Sequence, residues 1–306
     1  MPRHISIIFP GQGSQSLGML DNFSNKSIDA YKDTISNSLD IDLLNIISNG
    51  PKEELNKTSI TQPAILLTSF IQFKELKKKF NINPNTICGH SLGEYTSLVA
   101  SESLSLGDAL SLVHKRGLLM ERCVQGSMCA VLNTDLDVIS KICNRVEQET
   151  NNIVSPANLN SPNQTVISGT NEGVDLAIKY LKDNGHKKCI KLTVSVASHS
   201  RVMSNTIGEF KKELDKINFS MPNCEIIQNV NNKSPKNIVD LKKNLLNQLI
   251  HPVQWSNTMK SISNYNGIII ECGPNKVLSG IAKSNNINNV YSTSSERFME
   301  DIKGIL

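Results

Sequence analysis

The segment Cys88-Gly89-His90-Ser91-Leu92-Gly93-Glu94 constrains the fold of this chain more than any other. It follows a short apolar stretch, Thr86 to Cys88, and opens a run of helical period, Leu92 to Ala100. A G-x-S-x-G between strand and helix is the pattern of a nucleophile elbow, a turn so sharp that the serine hydroxyl stands exposed at the end of a sheet. Side chains at 89 and 93 would collide with neighbouring backbone in such a turn, which is a physical reason for glycine at both positions. The helix that follows points its first N–H groups at the serine and favours negative charge developing there. The alternative, a chance match in a Gly- and Ser-containing loop, is disfavoured by the strand and helix on either side.

The rest of the chain fits that context. Short apolar clusters bounded by Gly, Pro, Asn and Ser alternate with longer segments of helical period, which predicts an α/β protein with a parallel sheet. Strands are expected at Ile5 to Phe9, Thr86 to Cys88, Ile226 to Val230 and Gly267 to Glu271, each leading into a turn of the kind that places ligands in α/β sheets. Helices are expected at Leu92 to Ala100, Leu106 to Arg122, Val202 to Ile217 and Ile238 to Leu249, with Ser105 as N-cap of the second. The stretch from Ser127 to Val196 differs. It reads strand (Met128 to Leu132), helix (Asp135 to Glu149), two strands (Ile153 to Ala157, Gln164 to Ser168), helix (Glu172 to Asn184), strand (Lys188 to Val194). That βαββαβ order is the ferredoxin-like motif. Residues 1–125 and 198–306 are thus expected to form one domain and 126–197 a smaller insert, with a cleft between them as the default binding site.

Composition removes several function classes. With 306 residues, 39% hydrophobic and 20% charged, the chain can build one large or two ordinary cores and is not disordered. Its 32 Lys+Arg and 28 Asp+Glu leave a net charge of +4, far from the footprint of a nucleic-acid binder. No apolar run approaches the roughly 20 residues that cross a bilayer, so no membrane insertion is expected. The seven cysteines contain no C-x-x-C pair, which indicates neither a disulfide framework nor a thiolate metal site and fits a reducing cytoplasm.

A serine hydroxyl needs a base, so one of six histidines must approach Ser91 in space. His199, in Ser195-Val196-Ala197-Ser198-His199-Ser200, lies where the chain returns from the insert and is the first choice. His90 should point away from the nucleophile, and His114 and His186 read as structural. The oxyanion of an acyl transfer needs two N–H donors. Leu92 supplies one; the turn Gly11-Gln12-Gly13 after the first strand offers Gln12 as the other, a simple turn being the alternative. Arg116 follows Ser91 by 25 residues, and if it faces the cleft it can bind a carboxylate with both arms of its fork. The alternative is a solvated arginine beside Lys115.

Taken together these residues resemble the malonyl-CoA:acyl carrier protein transacylase family, nearly end to end. The matching motifs include Phe9-Pro10-Gly11-Gln12-Gly13-Ser14-Gln15, Thr61-Gln62-Pro63-Ala64, Gly89-His90-Ser91-Leu92-Gly93-Glu94-Tyr95 and Arg116-Gly117 with Met120. They continue through Asn158-Leu159-Asn160-Ser161-Pro162, Ser198-His199-Ser200, His251-Pro252-Val253-Gln254-Trp255 and Glu271-Cys272-Gly273-Pro274. The resemblance implies an α/β-hydrolase-like large domain carrying a ferredoxin-like small one. It also implies roles: Ser91 is acylated, His199 is base then acid, Gln12 and Leu92 form the oxyanion hole, Arg116 pairs with the malonyl carboxylate, and Gln248 orients the histidine. The substrates implied are malonyl-CoA and acyl carrier protein, with no cofactor, no metal and a monomeric enzyme. Carrier docking would fall on basic residues near the cleft such as Lys115, Lys187 and Lys188.

The segment Val196-Ala197-Ser198-His199 has serine where many malonyl-selective relatives have phenylalanine, which keeps methylmalonyl as an alternative. A serine hydrolase is the second function class, since Asp108, Asp135 and Asp175 all lie between Ser91 and His199 and could complete a triad. A non-catalytic carrier-binding protein is the third.

Overall fold

Four of the five residues of the strand Ile5–Phe9 are buried, the pattern of a strand covered on both faces. In the computed structural model, which describes residues 3–194 and 196–305, this strand is the centre of a five-stranded sheet. Met1, Pro2, Leu306 and Ser195, the first residue of the histidine segment, lie outside the described residues. The strands of the described residues are β1 (Ile5–Phe9), β2 (Thr86–Gly89), β3 (Gly126–Leu132), β4 (Val154–Ser161), β5 (Gln164–Thr170), β6 (Cys189–Lys191), β7 (Glu225–Ile227), β8 (Ile268–Glu271) and β9 (Val290–Ser292). The first sheet has the order β7-β2-β1-β8-β9, and its four pairings are all parallel.

Strand alternation divides the core around that sheet. Ile7, Phe9, Ile87 and Ile270 pack on one face with Phe73 of the long helix Thr58–Phe80, while Ile8, Cys88 and Ile269 pack on the other with Trp255 and Met259. This is the helix–sheet–helix layering expected when a parallel sheet must hide both faces. β1 and β2 are neighbours with Phe9 opposite Gly89, so the turns leaving their carboxyl ends, Pro10 to Gly13 and His90 to Ser91, lie side by side. The His90 N–H donates to the Phe9 carbonyl at 3.0 Å, tying the two turns together.

The second sheet is antiparallel with the order β4-β5-β3-β6. The helices Leu136–Thr150 and Asn171–Asp183 cover one of its faces through Ile139, Val146, Val174 and Ala177. The opposite face carries Met128, Ala130, Ala157 and Val166, with Leu192 and Val194 against them. Val253, which packs with Ile8, Cys88 and Ile269 of the first sheet, ties the second to it: its N–H donates to the Ala157 carbonyl and its carbonyl accepts from the Leu159 N–H, each at 2.9 Å.

Several boundaries differ from the sequence reading, each with a physical reason. The strand expected at Ile226 to Val230 ends at Ile227, because the Asn229 N–H and the Gln228 side chain donate to the buried Glu94 carboxylate instead of continuing a ladder. The helix expected over Val202 to Ile217 begins as a tighter 3-10 turn, Arg201–Thr206, before the α-helix Ile207–Lys216. The strand expected at Lys188 to Val194 is reduced to Cys189–Lys191. Ser105 caps Leu106–Glu121 by accepting from the Asp108 N–H. The helix Thr58–Phe80, absent from the sequence reading, contains Pro63. Lacking an N–H, Pro63 leaves the Ser59 carbonyl four residues earlier free of its helical partner, and His114 Nδ1 donates to that carbonyl at 2.8 Å. His114 is thus structural.

Candidate active site

Ser91 follows β2 as the residue before the helix Leu92–Ala100, with φ 51° and ψ −104°, a backbone conformation rare for a side-chain-bearing residue. The turn leaves no room beside it. A Cβ on Gly89 would lie 2.0 Å from the Gly93 carbonyl carbon, and one on Gly93 would lie 2.1 Å from the Phe9 carbonyl oxygen. Asn229, two residues beyond β7, braces the elbow: its Oδ1 accepts from the Ser91 N–H at 2.7 Å and its Nδ2 donates to the Gly89 carbonyl at 2.7 Å.

The Ser91 hydroxyl lies 2.8 Å from His199 Nε2. His199 Nδ1 lies 2.6 Å from the Gln248 backbone carbonyl. A carbonyl only accepts, so Nδ1 carries the proton and Nε2 is left as the acceptor for the Ser91 O–H, the tautomer a general base requires. His199 itself has φ 59° and is 3% exposed, so its ring is fixed by backbone and packing. Burial, and next the positive charge of Arg116, pull its pKa down to about 3, against the pull of the Gln248 carbonyl, so the ring is neutral in the free protein. Asp108 is engaged with Ser105, and Asp175 pairs with Lys191. The third member of the relay is a peptide carbonyl, and no aspartate among the described residues completes a triad.

Arg116, on the helix Leu106–Glu121, is 2% exposed. It donates to Gln62 Oε1 at 2.9 Å and to Gln248 Oε1 at 3.0 Å, reaches Ser91 Oγ at 3.4 Å, and lies 5.4 Å from the centroid of the Tyr95 ring. The solvated alternative does not hold. Gln248 therefore acts twice: its backbone carbonyl holds His199, and its side chain joins Arg116 to Glu94 by donating to Glu94 Oε2 at 2.8 Å. Glu94 is fully buried and also accepts from Gln228 Nε2 and the Asn229 N–H, each at 3.0 Å. Burial raises its pKa, and these donors, suited to the ionised carboxylate, oppose that shift.

Gln12 and Leu92 line the same cavity of about 110 Å³ as Ser91, His199 and Arg116. Among the described residues neither backbone N–H has a protein acceptor, so both are available to an oxyanion. A wider hollow of about 380 Å³ adjoins the cavity through Gln12 and Val194 and reaches Asn56 and Lys57. His90 faces away from the reacting groups: its Nε2 bonds Asn160 Oδ1 at 2.9 Å and its ring lies edge-on to Trp255.

All six residues singled out from the sequence converge on this one place. Sequence reasoning gave no role to Glu94, Gln62 or Asn229. Glu94 and Gln62 stood inside quoted motifs, and the signal for Asn229 was a polar pair, Gln228-Asn229, at the carboxyl end of an apolar strand, where α/β sheets put their sites.

Comparison with known proteins places the chain in a family. A family model described as acyl transferase domain matches residues 7–289. The malonyl CoA-acyl carrier protein transacylase of Haemophilus influenzae is 36% identical over 290 residues, 92% of each chain. The structure of the enzyme of that name from Coxiella burnetii superposes with a TM-score of 0.94 at 33% identity, covering 100% of this chain and 98% of that one. A malonyl-transacylase in complex with its type II PKS acyl-carrier protein superposes at 0.92 with 32% identity, over 98% of this chain and 99% of that one. The chain belongs to the acyl transferase family, in its group of malonyl CoA-acyl carrier protein transacylases.

Proposed function

We propose that this protein moves a malonyl group from malonyl-CoA to the phosphopantetheine thiol of an acyl carrier protein, through a malonyl ester on Ser91. The observation that carries the reading is the Arg116 guanidinium, buried 3.4 Å from the nucleophile with amide oxygens but no carboxylate in its hydrogen-bonding shell. A buried cation in that state is costly until a carboxylate reaches it, and the free carboxylate of a malonyl thioester meets that need. A serine hydrolase acting on neutral esters has no use for it.

The two half-reactions use the same groups. Ser91 Oγ attacks the thioester carbonyl while its proton passes to His199 Nε2. The Gln12 and Leu92 N–H groups hold the oxyanion, the C–S bond breaks, and CoA leaves as a thiol with the proton from His199. The carrier's thiol then gives its proton to His199, attacks the serine ester, and the C–O bond to Ser91 breaks as His199 returns the proton. Gln248 is a positioning residue for both His199 and Arg116. Fixing the acyl carboxylate on Arg116 holds the carbonyl in one attack pose and confines it to a small cavity, which favours an incoming thiol over water. This scheme calls for no cofactor, since both thioesters are substrates.

For the architecture, we read residues 1–125 and 198–306 as an α/β-hydrolase-like domain and 126–197 as a ferredoxin-like insert. The strand order β4-β5-β3-β6, with both helices on one face, supports the second assignment. We read the protein as a cytoplasmic monomer.

The test is intact-mass measurement of the protein mixed with malonyl-CoA, beside Ser91→Ala. The expected result is a malonyl adduct on the parent protein alone, discharged by holo carrier protein. Release of free malonate without an adduct would assign hydrolysis instead. Replacing Arg116 by Ala should lower kcat/KM for malonyl-CoA by roughly 10²-fold, the worth of a charge-assisted contact, and leave acetyl-CoA within a few-fold.

A further inference from the structure

One polar side chain in the catalytic cavity has no task in the scheme above. Asn158 lines the cavity from the antiparallel sheet, is 9% exposed, and its Oδ1 has no hydrogen-bond partner. A buried amide oxygen left without a donor is uncommon and costs free energy comparable to a lost hydrogen bond.

Its placement follows from the register of the sheet. β4 pairs Pro156 with Ile167 and then Asn158 with Val166, so Ala157 is an extra residue and the strand bulges there. Residues opposite each other in an antiparallel pair share a face. Pro156 therefore shares the face of Ile167, which packs under the two helices, and Asn158 shares the face of Val166 and Met128, which is turned to the cavity. Bulges beside active sites commonly re-aim a side chain in this way. The backbone at this point is also fixed, since Asn158 forms an isolated bridge with Val253, which packs with Ile8, Cys88 and Trp255 on a face of the parallel sheet.

The chemistry of the cavity narrows what Asn158 meets. Around Ser91 the groups free to bind an acyl chain are donors: the Gln12 and Leu92 N–H groups and Arg116. They match a malonyl group, whose carbonyl and carboxylate oxygens only accept. An amide oxygen finds no partner in that acyl group. The first donor along a pantetheine thioester is the amide N–H two methylenes beyond the sulfur.

We infer that Asn158 Oδ1 accepts a hydrogen bond from that pantetheine amide N–H and so fixes the sulfur beside Ser91. This rests on the transacylase reading and extends it: CoA and the carrier protein carry the same arm, so one residue of the antiparallel sheet aligns the leaving thiol in the first half-reaction and the attacking thiol in the second.

Two malonyl thioesters that differ in a single group test the contact, one of N-acetylcysteamine and one of 2-mercaptoethyl acetate, where oxygen replaces the N–H. Acylation of Ser91 is followed by intact mass for the parent protein and Asn158→Ala, with fluorophosphonate labelling of Ser91 reporting that the variant's site is intact. The parent is expected to favour the amide thioester by about three- to tenfold in kcat/KM, the worth of one hydrogen bond, and the preference is expected to vanish in Asn158→Ala. Equal rates for the two thioesters on the parent protein overturn the inference whether or not the variant folds. A preference that persists in a variant with normal labelling overturns it as well. Failure of malonyl-CoA and both thioesters to acylate the parent would instead overturn the transacylase reading, and the inference with it.

Discussion

In the proposed scheme His199 serves as base and then as acid, two opposite tasks for one ring. The Gln248 carbonyl fixes the proton on Nδ1, while burial and the Arg116 charge keep the ring neutral. The base form is lost only as pH falls through the pKa of the folded protein, and that value is depressed. Acidification should therefore leave Ser91 reactive well below pH 6.5, the ordinary histidine value. The check is the pH profile of Ser91 labelling by a neutral fluorophosphonate. In Arg116→Met the acid limb should move upward, toward the ordinary value, because a cause of the depression is gone. A bound malonyl carboxylate would offset the same charge, so the acid limb measured with malonyl-CoA saturating should also lie above that of the free protein. Gln248→Ala separates the two duties of Gln248. The backbone acceptor for His199 survives, so fluorophosphonate labelling should stay within a few-fold, while loss of the Oε1 contact to Arg116 should lower kcat/KM for malonyl-CoA by about tenfold or more.

At the scale of elements, the elbow was legible because its glycines answer to hard sterics, and Ser91, Leu92 and the strand before them fall where the motif requires. Gly93→Ala should cost at least about 1–3 kcal/mol, the price of overpacking, visible as a lower urea midpoint together with loss of Ser91 acylation. The helix Thr58–Phe80 was not legible for the opposite reason. Its first fourteen residues are buried all round, so no polar stripe marks a helical period, and Pro63 reads as a break. What permits the proline is His114, a contact 55 residues distant in sequence. His114→Leu should strand the Ser59 carbonyl and destabilise the fold by about 1–3 kcal/mol in urea. The strand end at Ile227 was misjudged likewise, since its limit is set by Glu94 from a different element. Local patterns carried four of the five parallel strands and singled out Ser91 and His199; β9, a three-residue edge strand, was missed, and partners supplied from a distance did not show.

Across the whole molecule, charge outside the cavity bears on partners. Lys115, Lys187 and Lys188 are exposed, and the last two immediately precede β6 of the antiparallel sheet, whose neighbouring residues Leu192 and Val194 line the cavity. Reversing Lys187 and Lys188 to Glu should slow discharge of malonyl-Ser91 by an acidic holo carrier severalfold, more at low salt than at high. Acylation by the uncharged-headed N-acetylcysteamine thioester should not change, which separates docking from chemistry.

The anchoring of His199 by the Gln248 carbonyl bears on how the protein comes into being. Ser91, Arg116, His199 and Gln248 enter the growing polypeptide in that order, the last two 49 positions apart. A chain still on the ribosome, not yet extended past Gln248, holds a serine and an arginine but no oriented imidazole. Reactivity toward thioesters should thus arrive late, after both sheets have most of their strands. Half-made copies are spared from trapping or wasting the acyl donor.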